Sequence, residues 1–122
     1  MTKDAVLHLL HTNKPLAAAI RPESVGLLSW VGVYPIDATW PDGAALIRRF
    51  GVDARSKDHI YYVRRFDVDQ ELVAADVWLS EEDLRNRQDT LVVGDDALIS
   101  RLAQLGVYIE ELDLPHKSDY PI

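Results

Sequence analysis

Four histidines are the side chains best suited to proton transfer or metal binding near neutral pH. His8 and His11 stand three residues apart on a predicted helix, so they share a face. Two imidazoles at that spacing supply part of a metal site. No Glu or Asp joins them at the spacing of a zinc protease helix, and two histidines on a short terminal helix account for the pattern. His59 and His116 are candidate general bases. Six serines offer hydroxyls, Ser24, Ser29, Ser56, Ser80, Ser100 and Ser118, and none lies in a Gly-x-Ser-x-Gly elbow.

The paired carboxylates Glu81/Glu82, Asp95/Asp96 and Glu110/Glu111 invite an acid–base reading. Neighbours on a helix or strand point in different directions, however. The first two pairs also fall where helix N-termini are expected, and there acids serve as caps and dipole partners. Asp67-x-Asp69-x-Glu71 comes nearest to a calcium loop but lacks its central glycine and distal glutamate. No glycine-rich phosphate loop occurs. The absence of cysteine excludes disulfides, thiolate metal sites and cysteine nucleophiles. No catalytic residue, metal site or cofactor is expected from these motifs.

Charge is more informative. The 122 residues carry 13 Lys+Arg against 20 Asp+Glu, a formal net charge of -7. Residues 1–60 hold seven basic and six acidic groups, whereas residues 61–122 hold six and 14. From Asp67 to Asp113 there are 13 carboxylates, opposed only by Arg85, Arg87 and Arg101. Such a field repels nucleic acid and anionic lipid and attracts basic protein surfaces. With 48% hydrophobic and 27% charged residues the chain has the composition of one folded domain, 1–122. The longest weakly polar run, Val25 to Ile36, is about half a membrane span. No secretion signal is apparent at the N-terminus, so a cytoplasmic location is expected.

Proline and glycine punctuate the elements that must position these groups. Residues 3–12 read as a helix, with Thr2 or Asp4 near its start and Pro15 beyond its end. A second short helix is predicted from Leu16 to Arg21. Val25–Ile36 fits a buried strand or a buried helix, with a strand favoured over Leu28–Tyr34. A helix is predicted from Pro41 to Phe50, ended by Gly51, followed by a polar loop Asp53–Asp58. His59–Phe66 and Glu71–Leu79 read as strands joined by a turn at 67–70, hence a β-hairpin. Ser80 begins a helix to about Gln88, and a short strand follows at Thr90–Val93. Asp95 or Asp96 caps a helix over Ala97–Leu105, Val107–Leu114 is a last strand, and 115–122 is an extended surface tail. The sum is an α+β fold: a single mixed or antiparallel sheet with a central β-hairpin and helices packed on it.

On strand 59–66, Tyr61 and Val63 face one way and Tyr62 and Arg64 the other. Unless both sheet faces are covered, one tyrosine points outward, and Val77 and Trp78 divide in the same way. An exposed aromatic is therefore expected in the hairpin, ringed by Asp67, Asp69, Glu71 and Asp76. A small, acidic, cysteine-free α+β chain with an acidic 67–113 stretch and no catalytic motif resembles the immunity proteins of bacterial toxin systems, including those of contact-dependent growth inhibition. The resemblance is one of overall character. It implies a stoichiometric inhibitor that occludes a basic, nuclease-type toxin domain. The expected contacts are Asp67, Asp69, Glu71 and Asp76, the acids Glu81, Glu82 and Asp83, and the anchors Tyr62 and Trp78. The alternative is a small enzyme or ligand-binding domain built on His59 or His116 with nearby carboxylates.

Overall fold

Four strands run antiparallel in chain order: β1 Leu16–Ile20, β2 Leu27–Ile36, β3 Ile60–Asp69 and β4 Arg85–Val93. The helices are α1 Lys3–His11, α2 Pro41–Phe50, α3 Gln70–Ala74 and α4 Asp95–Gln104. Single 3-10 turns occupy Glu81–Asp83, Ile109–Glu111 and Pro115–Ser118. This computed structural model describes residues 1–55 and 58–121; Ser56, part of the 53–58 loop and the final residue of the expected tail lie outside them. The fold is α+β with one antiparallel sheet. No helix among the described residues is long and apolar enough to cross a membrane.

Period-2 alternation places Val31 and Val33 of β2 and Tyr61 and Val63 of β3 on one face. There they meet Val6 and Leu10 of α1 and Leu98 and Leu102 of α4, closed off by Val107, Ile109 and Leu112. The opposite face carries Trp30, Phe66 and Val68, covered by Leu84 and, less completely, by Leu72, Val73, Leu79 and Tyr120. The sheet is thus covered on both sides. Tyr61 is buried, whereas Tyr62 is half-buried, with its ring edge-on to Phe50 of α2.

Several local expectations change in this context. Leu16–Ile20 is a strand, not the expected helix to Arg21: pairing with β2 buries Leu16, Ala17 and Ala18. Glu71–Leu79 is not a strand. α3 ends at Ala74, and Asp76 adopts φ 53, while Leu72, Val73 and Leu79 all pack on the same side. β3 instead continues through the expected turn at 67–70 and pairs with β4. The expected helix 80–88 is one 3-10 turn: Ser80 and Asp83 form a reciprocal capping box, but the chain then extends into β4. α4 starts at Asp95, two residues early, with Gly94 as its N-cap and no side-chain cap. Val107–Leu114 forms a 3-10 turn and one isolated bridge, Ala17 to Asp113.

The tail is built into the fold. Pro115–Ser118 turns, the Trp30 indole donates to the Ser118 carbonyl at 2.8 Å, and the Tyr120 ring lies against Phe66 with its hydroxyl 2.6 Å from that of Tyr34. Burial drives the phenols of both Tyr34 and Tyr120 upward in pKa, so they remain protonated partners. Gly32 makes the space, since a Cβ there would overlap the Tyr120 phenol. Gly32→Ala should therefore cost about 1–3 kcal/mol by overpacking. Combined with Tyr120→Ala it should add little to the cost of Tyr120→Ala alone, a non-additivity measurable by urea unfolding of the four proteins.

Candidate functional site

The acids of the 67–83 stretch divide into those spent on the fold and those left free. Asp67 belongs to the first group, being 2% exposed. Its carboxylate accepts from the Ser29 hydroxyl, from Asn86 Nδ2 at 2.7 Å and from Arg65 Nη1 at 2.8 Å. Alternation along β3, unbroken in its pairing with β2, puts both charged groups on the face of Tyr61 and Val63, with Asp67 opposite Ser29. Asp67 is therefore not a surface contact, because β3 runs on where a turn was expected. Burial alone would raise its pKa. The hydrogen bonds from Ser29, Asn86 and Arg65, with the Arg65 charge, outweigh burial and hold it below the usual carboxylate value.

Glu81 is also engaged. Its Oε2 accepts from Arg64 Nη2 at 2.7 Å and lies 3.1 Å from Arg87 Nη1. Arg87 donates to Asp89 at 2.8 Å, and Asp89 accepts the Tyr62 hydroxyl at 3.0 Å. The Arg64 side chain, 12% exposed, lies near the rings of Tyr62 and Phe66. This network of alternating charge fastens the Glu81–Asp83 turn to the sheet. Tyr62 is thus one of its members rather than a free anchor. Arg64, Arg87 and Asp89 were not among the expected site residues. Their one sequence signal is the alternation of Tyr62, Arg64 and Phe66 along β3.

What remains free lies in α3, in the loop that follows it and in the Glu81–Asp83 turn. Trp78 is 100% exposed and Val77 49%. They flank an open hollow of about 330 Å³, lined also by Asp76, Leu79 and Pro121. Glu71, Asp76 and Glu82 are exposed, and their carboxylates have no hydrogen bond or ion pair among the described residues. Asp69 pairs with Arg85 at 3.3 Å on the surface, and Asp83 accepts from the Ser80 amide at 2.7 Å. The exposed aromatic expected from the sequence is Trp78, on a loop instead of a strand. The loop is held at both ends: Leu72, Val73 and Leu79 bury themselves, and the capping box and Glu81 fix the far side.

The histidines separate. His8 and His116 are exposed, the latter in the C-terminal turn. His59 stacks on His11 with ring centroids 3.9 Å apart and planes 12° from parallel. His11 Nε2 lies 3.1 Å from both oxygens of Asp95, which also accepts the Tyr61 hydroxyl at 2.6 Å. Burial raises the Asp95 pKa, but Tyr61 and the two histidines bring it below the usual value. Among the described residues no three of His, Asp and Glu converge to hold a metal ion. With this geometry in place, comparison with known proteins finds no matching family model, curated protein or solved structure.

The buried Arg65–Asp67 pair carries a stability prediction. Asp67→Asn leaves Arg65 uncompensated and should destabilise the fold by about 3–5 kcal/mol. Because the folded pKa of Asp67 is depressed, its contribution is present above the unfolded carboxylate value, about 3.9, and lost as pH falls through the folded value. The native chain should therefore lose stability below about pH 4 more steeply than the variant, as read from urea midpoints across pH.

Proposed function

We propose that this protein is a stoichiometric protein-binding inhibitor of the immunity type, which neutralises a basic, nuclease-type toxin domain by covering its surface. The observation that carries this reading is Trp78, a wholly exposed indole beside Val77 and the free carboxylate of Asp76. Leaving such a ring in water forgoes roughly 2–3 kcal/mol of burial, which a partner surface recovers. Tryptophan is among the residues most enriched at the energetic centres of interfaces. The loop is fastened at both ends, so little ordering entropy is lost when a partner docks.

Charge supplies the second half of the mechanism. Glu71, Asp76 and Glu82 have no internal partner among the described residues, and they sit within the strongly acidic part of the chain. Their field steers a basic partner toward the loop and discriminates against acidic ones. Trp78 then anchors the complex, and Asp69 and Asp83 contribute at the margin. Inhibition is by occlusion, so no catalytic residue or cofactor enters. The cytoplasm, where an incoming toxin would be intercepted, is the proposed place of action, with neither nucleic acid nor membrane as a direct partner.

The test is a titration of the purified chain with the basic proteins encoded in its genomic neighbourhood. One-to-one binding should weaken with added salt. Trp78→Ala should cost about 2 kcal/mol or more, roughly 30-fold in Kd, mainly through faster dissociation. The double variant Asp76→Asn with Glu82→Gln should instead slow association. Binding indifferent both to salt and to Trp78→Ala would overturn the proposal.

A further inference from the structure

A second surface feature lies on the sheet end away from Trp78, where β2 ends, α2 begins and β3 starts. Two concavities meet there and share Asn13, Pro35, Ile36 and Asp37. The first, about 260 Å³, has walls of Pro35, Ile36, Leu46 and Trp40, with Asp37 and Asp42 as its charged groups. The second, about 200 Å³, is more polar and is lined by Asp58, Tyr61 and the stacked pair His11 and His59. Neither contains a Lys or Arg among its described lining residues.

Trp40 is 68% exposed although it lines a concave site. It occupies the N-cap of α2 without making a side-chain cap, so helix capping does not explain its presence. The wall behind it is fixed. Gly43 lets the first turn of α2 press on the Asp37 carbonyl so closely that any Cβ would overlap it. Asp37 is held in place by the Thr39 amide at 2.9 Å and the Thr39 hydroxyl at 2.6 Å. These same donors lower its pKa, which keeps it anionic. Both bonds use Oδ1, leaving Oδ2 without a partner among the described residues, and the Asp42 carboxylate likewise makes none. The positive end of α2 absorbs part of the Asp42 charge, so Asp37 carries the larger share.

We propose that this cleft binds a guanidinium group on an apolar stem, its plane against the Trp40 indole and its charge met by Asp37 and Asp42. An apolar chamber with an open indole and unmatched carboxylates rewards a ligand that is flat, cationic and attached to a hydrocarbon chain. Guanidinium combines stacking on an aromatic face with a forked set of donors for carboxylate. The apolar floor of Pro35, Ile36 and Leu46 takes the methylene stem. This site is separate from the Trp78 loop and stands whether or not that loop binds a toxin.

The test follows the three indole N–H signals of the isotopically labelled full chain by NMR. Blocked arginine, N-acetyl-arginine methylamide, represents a protein side chain; methylguanidine represents a free small cation; N-acetyl-citrulline methylamide is the neutral counterpart. Saturable shifts are expected at Trp40 and not at Trp30 or Trp78. The citrulline compound should bind at least about tenfold more weakly, and Asp37→Asn, Asp42→Asn and Trp40→Leu should each weaken the arginine compound by roughly three- to tenfold. Asp42→Asn and Trp40→Leu leave the Asp37–Thr39 turn intact, so they report on the site even if Asp37→Asn disturbs it. Tighter binding of blocked arginine than of methylguanidine is expected, because only the former carries the methylene stem; equal binding overturns the role given to the apolar floor and with it the proposed ligand. No saturable shift at Trp40, or equal binding of the citrulline compound, overturns the proposal.

Discussion

The pairing of β2 with β3 is the constraint on which the rest of the molecule depends. Ten residue pairs join them, from Leu27 opposite Asp69 to Ile36 opposite Ile60. Both faces of this ribbon are rich in large apolar side chains, so both must be covered. One face is covered in the ordinary way, by α1 and α4. For the other, this short chain uses α3, the loop that follows it, and its own C-terminal turn. Tyr120 consequently packs against the core from the tail, and Gly32 is the recess that accepts it.

The same pairing decides which charges face solvent. Alternation along β3 brings Arg65 and Asp67 inside, where removal of either partner strands the other in a medium that solvates charge poorly. On the opposite face, Arg64 projects among aromatic rings and recruits Glu81, while Arg87 and Asp89 of β4 complete the network. The acidic balance of the second half of the chain is thus partly internal. The carboxylates left to interact with other molecules are fewer than composition implies; among them are Asp76 beside Trp78 and Asp37 and Asp42 at the Trp40 cleft.

Much of the fold was legible in advance. α1 and α2 follow from their own residues, because Thr2, Pro41 and Gly51 mark helix ends, whereas the apolar run 25–36 fitted strand and helix alike until pairing with β1 and β3 made it β2. Residues 67–93 were not legible. Glu71–Leu79 has strand-like composition, yet α3 and the left-handed Asp76 divert it toward Trp30 and Phe66. Ser80-Glu81-Glu82-Asp83 is a sound helix-start signal that closes a single turn, since the following residues gain more by pairing with β3.

By itself, then, the sequence determined the α+β class, the acidic imbalance, the lack of cysteine chemistry and the existence of an aromatic too many for the core. These depend on composition and on contacts within a few residues. Tertiary structure alone decided that the exposed aromatic of the 59–79 stretch is Trp78 and not Tyr62, that Asp67 is buried, and that His11 meets His59 beside Asp95. Each of these joins segments far apart in the chain, or turns on which residues the cover of the sheet leaves outside. Local propensity carries no record of either, because both are settled only when the whole ribbon finds its cover.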